Sequence, residues 1–118
     1  MEALLMLLAH LVGDYFLQTN QEATNKALGK WYNRHIVSHS LKYTLCFLPV
    51  FWHLHIDYLW LAFIFVTHLV VDRRWLIIGF RKLLKHESEE AIAKTFWITI
   101  MLDQTVHLAV IVIVLACV

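Results

Sequence analysis

Thr67-His68-Leu69-Val70-Val71-Asp72-Arg73-Arg74-Trp75 sets an imidazole, a carboxylate and two guanidinium groups inside an otherwise apolar run. A hydrocarbon environment accepts such groups only where they face a protein interior or a wet cavity. Helix positions four apart share a face, so His68 and Asp72 point the same way. The same spacing recurs in the other apolar segments, as His10 with Asp14, His35 with His39, and Asp103 with His107. Four segments with four such pairs predict an all-α fold, an antiparallel four-helix membrane bundle with a polar His/Asp layer in its core.

Composition sets the surroundings of those pairs. The chain has 118 residues, room for one domain, and 60% of them are hydrophobic, with a mean hydropathy of +0.63. The apolar share of a soluble domain is about 45–50%, so an integral membrane protein is expected. Charged residues make up 16% and the net charge is +1, with Lys and Arg scattered, which excludes a nucleic-acid surface. Eight histidines stand out in so short a chain. Cys46 and Cys117 lack CxxC spacing and read as small buried hydrophobes.

Hydropathy divides the chain into expected spans at about 3–20, 31–54, 58–80 and 95–118, each near the ~20 residues that cross a bilayer. The first lacks a basic leader and a cleavage site, so it reads as an uncleaved span. Thr19 to Lys30 reads as a polar connection. Pro49 predicts a kink in the second span. His53 to Asp57 is short enough to force a hairpin, with Asp57 capping the third span, and Ser88-Glu89-Glu90 starts a helix after a charged link. Trp31, Tyr32, Trp52, Tyr58, Trp60 and Trp97 fall near segment ends, as an interfacial belt would. The cations Lys26, Lys30 and Arg34, then Arg81, Lys82, Lys85 and Lys94, place the first and third links in the cytoplasm and both termini outside it.

Counted from those ends at about 1.5 Å per residue, Asp14 and His35 lie roughly 6 Å deep; His10, His39 and Asp72 roughly 12 Å; and Asp103 roughly 14 Å. His68 and His107 fall at roughly 18–20 Å on the same rise. Residues scattered over the sequence therefore converge on one layer. Imidazoles and carboxylates from facing helices are how bundles hold metal ions in their cores. The metal ligands read this way are His10, Asp14, His35, His39, His68, Asp72, Asp103 and His107, for zinc first, with manganese or iron as alternatives. Eight are too many for one tetrahedral ion, so two ions sharing a carboxylate, or one ion with hydrogen-bonded supports, are expected. With no thiolate in the layer, an open catalytic site is favoured over a closed structural one.

Plainer readings apply to some of these residues. A lone His in a span is ordinarily hydrogen-bonded to a neighbouring helix, and the whole layer also fits a dry polar network or proton relay. Lys42 is read either as a phosphate ligand or as a partner of Asp14 or Asp103. Arg73 and Arg74 either clamp a phosphate or snorkel to headgroups. Gln18 and Gln104 read as hydrogen-bonding supports of the ligands, and His53, His55 and His86 as solvated.

The segments Ala9-His10-Leu11-Val12-Gly13-Asp14-Tyr15-Phe16-Leu17-Gln18, Thr67 to Arg73 and Leu102-Asp103-Gln104-Thr105-Val106-His107 carry GDxxxQ, THxxxDR and DQxxH motifs. In these the chain resembles an uncharacterised family of small bacterial and phage membrane proteins known only as a domain of unknown function. The resemblance implies a fold and a bacterial plasma-membrane location, without an activity. More distantly, the HxxxD pairs are similar to inner-membrane metal-dependent hydrolases and to the all-helical zinc phospholipase C and P1 nuclease group, which hydrolyses phosphoesters. His68 with Asp72 and His10 with Asp14 match that form, Asp103 with His107 reverses it, and His35 with His39 has no carboxylate.

The expected function is a membrane-embedded, metal-dependent hydrolase of a phosphoester in a lipid or lipid-linked substrate. The metal would polarise the phosphoryl oxygen and activate water. Asp72 or Asp103 would act as base, with Lys42 or Arg73 steadying the phosphate. Homo-oligomers fit the small size. Rival readings are an ion, proton or metal transporter using the same layer, a haem protein with His ligands, and a structural or partner-binding membrane protein.

Overall fold

In the computed structural model, residues 1–26 and 33–118 are described. Helix α1 (Glu2–Leu11) continues as a π segment (Val12–Phe16) and is followed by α2 (Asn20–Asn25), α3 (Arg34–Leu54) and α4 (Leu59–Val71). Then come α5 (Trp75–Leu83), α6 (Glu89–Lys94) and α7 (Phe96–Cys117), with no strand among the described residues. The expected start of the second span at Trp31 and Tyr32, and the cation Lys30, lie outside them.

Local chemistry sets the boundaries. The Asn33 side chain accepts the amides of His35 and Ile36 at 2.9 and 3.1 Å and caps α3. The helix runs through Pro49 and ends where His55 turns left-handed, at φ 55°. There the Ile56 amide reaches back to the Phe51 carbonyl at 3.0 Å, and Ile56 is buried. Asp57 Oδ1 accepts the Leu59 amide at 2.9 Å, and Ser88 Oγ accepts that of Ala91 at 3.1 Å.

Helix α3 packs on α1 and α4, and α7 packs on α4 and α1. Glu2, Leu54, His55, Ile56, Leu115 and Val118 meet around one depression. The start of α1, the α3–α4 turn and the end of α7 thus share one end of the molecule, so neighbouring long helices are antiparallel. Towards that end lies an apolar core of Met6, Phe47, Phe51, Ile64, Ile111 and Val114. Towards the other end the interior is polar.

Three expectations are corrected. Among the described residues one helix, Phe96–Cys117, is long and apolar enough to cross a membrane, so an integral bundle of four spans is not supported. The expected third span is broken: α4 stops at Val71 after 13 residues, and Arg74 adopts φ 62° before α5 begins. A side chain with a Cβ is disfavoured there, and the Arg74 guanidinium stacks over the Phe96 ring at 5.3 Å. Nor are both cysteines buried, since Cys46 is half-buried and Cys117 exposed; both are free thiols.

Candidate metal centre

Asp14, His39, His68 and Asp72 come from three different elements and meet at the polar end, all buried. The π segment presents Asp14. Its signature is the Leu17 amide reaching the Val12 carbonyl five residues back, at 3.0 Å. Gly13 lets this wide turn lie against α3, because an added Cβ would stand 2.9 Å from Tyr43 Cδ2 and 3.0 Å from Tyr43 Cα. His39 comes from α3 and His68 from α4, while Asp72 sits where α4 breaks. The break serves the site, since it leaves Asp72 as the last turn of a helix that has no next turn to cover it.

His39 Nε2 lies 3.0 Å from His68 Nε2, 3.0 Å from Asp72 Oδ2 and 3.2 Å from Asp14 Oδ1. His68 Nε2 lies 3.2 Å from Asp72 Oδ2. Ligand atoms at the corners of a tetrahedral zinc site with bonds of about 2.0–2.1 Å are separated by ~3.3 Å. These four separations are therefore close to a tetrahedron's edges, and the four residues each offer a ligand atom within 4.8 Å of the others. Two ring nitrogens facing each other at 3.0 Å also require a proton or a cation between them. The Nδ1 atoms of both rings are buried and have no hydrogen-bond partner.

The other oxygen of Asp72 faces a second group. Asp72 Oδ1 lies 3.1 Å from His107 Nε2, which is 3.7 Å from Asp103 Oδ2, and Asp103 Oδ1 is buried without a partner. Asp72 thus stands between two sets of ligand types, one on each oxygen. Ring stacking fixes the imidazoles: Tyr43 lies on His68 at 3.7 Å and 12°, and His68 on His107 at 4.5 Å and 26°.

The remaining expected ligands are placed elsewhere. Both nitrogens of buried His10 are engaged, Nδ1 with the Tyr43 hydroxyl at 2.8 Å and Nε2 with Gln104 Oε1 at 2.9 Å. It belongs to neither group. Gln104 links it to the centre, since Gln104 Nε2 donates to Asp14 Oδ2 at 2.6 Å. His35, half-buried in the first turn of α3, lines an open groove with Thr19, Gln21, Glu22, Arg34, Ser38 and Lys42. Lys42 reaches neither Asp14 nor Asp103 with a hydrogen bond or ion pair. Its ammonium donates to Glu22 Oε1 at 2.6 Å and to the Leu17 carbonyl at 3.1 Å. Arg73 is half-buried and lines an apolar groove with Leu69, Val70 and Trp75, beside Asp72.

Two residues that sequence reasoning passed over are central. Lys26, read only as a loop cation, is buried with its Nζ 2.8 Å from Asp72 Oδ2 and 3.9 Å from Asp14 Oδ1. With the Gln18 amide oriented to satisfy both its ends, the Gln18 oxygen accepts from Lys26 Nζ at 2.7 Å and its nitrogen donates to the Asp14 carbonyl at 3.3 Å. Lys26 thus stands against both carboxylates of the centre. Glu22 holds α2 in place through a capping box with Thr19, at 3.0 and 3.1 Å. Burial works to raise the Glu22 carboxyl, but hydrogen bonds from Lys42 and the Thr19 amide outweigh it and hold it down to about 2. The signal was present as Thr19-Asn20-Gln21-Glu22, a T-x-x-E box.

A family model described as "Protein of unknown function (DUF3307)" matches residues 3–118. The chain belongs to that family. Comparison with the curated proteins and with the solved structures finds no match. The DUF3307 match spans the π segment, the α4 break and the start of α7, so all elements of the centre fall within it. What this arrangement supplies chemically is a buried set of His and Asp groups that could hold a metal ion.

Proposed function

We propose that this protein is a membrane-embedded, metal-dependent hydrolase acting on a phosphoester in a lipid or lipid-linked substrate. The observation that carries the reading is the approach of His68, Asp72 and Asp14 to His39 Nε2 at 3.0–3.2 Å, with the second Asp72 oxygen turned to His107. Asp14, His39, His68 and Asp72 would hold one divalent ion, and Asp72, Asp103 and His107 a second. Zinc suits these ligands best, and manganese or iron also fit. A divalent ion held there supplies Lewis-acid polarisation of a phosphoryl oxygen and an activated water. Asp103, with one buried oxygen free of hydrogen bonds, is the group suited to take the proton from that water. Arg73 stands at the rim, on an apolar groove, where a guanidinium would meet an anionic headgroup while acyl chains lie along Leu69 and Trp75.

Membrane embedding is supported by an inverted distribution of polarity. His39 and Asp72 are fully buried, whereas Leu59, Val66 and Val112 are 77%, 57% and 63% exposed. Exposed aromatics lie at both ends, Trp52 and Tyr58 at one and Trp75 and Trp97 at the other. Helix α7, with 22 residues, measures ~33 Å, enough for a ~30 Å hydrocarbon core.

Phosphate release from a short-chain phosphatidic acid and from a soluble nucleotide, by detergent-purified, zinc- or manganese-loaded protein, tests the reading. The amphiphile should be turned over in preference, and His68→Ala and Asp103→Asn should each lower turnover at least ~100-fold. Metal-loaded protein inactive on every phosphoester amphiphile, or a His68→Ala variant as active as the parent, would overturn it.

A further inference from the structure

We propose that Lys26 is a tethered cation that competes with a divalent metal for Asp72 Oδ2 and thereby sets the metal affinity of the centre. The proposal rests on the metal reading above. Lys26 Nζ, His39 Nε2 and His68 Nε2 all lie within 3.2 Å of the same carboxylate oxygen. An ammonium and a divalent ion on one oxygen would stand a few ångströms apart, where their repulsion inside a buried site is strong. The two cations therefore exclude each other, and metal entry requires the Lys26 head group to withdraw.

The structure also provides the place to which it withdraws. Glu22 lies four residues before Lys26, the residue that caps the end of α2 in a helical conformation, on the same face and in the favourable order for a helical ion pair. One Glu22 oxygen, Oε1, is engaged by Lys42 and the Thr19 amide, while Oε2 is buried and has no hydrogen-bond partner. Rotation of the four-carbon Lys26 stem exchanges Asp72 Oδ2 for Glu22 Oε2, and the i,i+4 ion pair formed there stabilises the α2 backbone. The Gln18 carbonyl, 2.7 Å from Nζ, holds the ammonium on the Asp72 side until a metal competes. Lys26 is thus a residue that determines affinity for the ion rather than a ligand to it.

Titration of the full-length detergent-solubilised protein with manganese and, against a chelator, with zinc tests this. Lys26→Met should bind each ion at least tenfold more tightly than the parent, and Lys26→Arg, which keeps the charge, should return towards the parent value. Glu22→Gln, which removes the alternative berth, should bind several-fold more weakly. In the parent, added metal should change amide hydrogen exchange across residues 19–26, a readout that needs no variant to fold. Equal or weaker binding by a folded Lys26→Met, or unchanged exchange in 19–26 of the metal-bound parent, overturns the role of Lys26 and leaves the metal reading standing. No binding by the parent or by Lys26→Met overturns both.

Discussion

The two ends of this molecule are built on opposite terms. At one end Phe47 and Phe51 meet edge to face at 6.4 Å and fill the space with Met6, Ile64 and Val114, all at most 1% exposed. At the other, fully buried Asp72 is held by Lys26, His39, His68 and His107, and Tyr43 is the joint between the halves, stacked on His68 and tilted against Phe47 at 5.2 Å. Apolar packing is non-directional and tolerates volume-conserving change, whereas a buried charge cluster is stable only while each member keeps its partner. The first end should therefore contribute stability alone, and the second both stability and chemistry.

Substitutions can break that division. The largest effect is expected from Asp72→Ala, which strands the Lys26 ammonium and frees His39, His68 and His107 at once. Breaking a buried charge pair costs about 3–5 kcal/mol, so thermal unfolding should show a large loss together with lost metal. Phe47→Ala should cost a similar amount or slightly less, about 3–5 kcal/mol, yet leave the metal content of the folded fraction unchanged. If Phe47→Ala also emptied the centre, the two ends would be one cooperative unit. Gly13→Ala sharpens the comparison, because the added methyl meets the Tyr43 backbone, which a side-chain rotation does not relieve. A cost of about 1–3 kcal/mol is expected, with weaker metal binding as Asp14 shifts.

The smallest effect concerns the edge of the polar end. Glu22 is held at about 2 against an ordinary 4.5. The depressed value means that its stabilising contribution is complete above the unfolded value of 4.5 and is lost as pH falls through about 2. Acid unfolding profiles of Glu22→Gln should therefore be flatter than the parent's in that window and converge with it at the acid limit.

The sequence made the cluster legible because helical spacing is regular: His68 and Asp72, like Asp103 and His107, do sit together. Where the helix departs from regularity, spacing misled. The pair His10 and Asp14 straddles the entry to the π segment, so His10 turns to Tyr43 and Gln104 while Asp14 meets His39. His35 lies one turn before His39 on α3 and lines an open groove, while the cation that reaches Asp72 is Lys26 from another part of the chain, which no periodicity within α3 reports. Span counting overreached for a related reason. Apolar runs continue through Asp72-Arg73-Arg74 in the sequence, whereas the backbone breaks there, and α3 carries Arg34, His39 and Lys42 along its first turns.

The measurement that bears most directly on the metal centre is elemental analysis by plasma mass spectrometry of the detergent-purified protein, prepared without chelators, beside Asp72→Ala and Phe47→Ala. One or more equivalents of zinc, manganese or iron are predicted in the parent and in folded Phe47→Ala, and none in Asp72→Ala. Parent protein free of metal after reconstitution with each of the three ions, or Asp72→Ala holding as much as the parent, would contradict a metal centre built on Asp72.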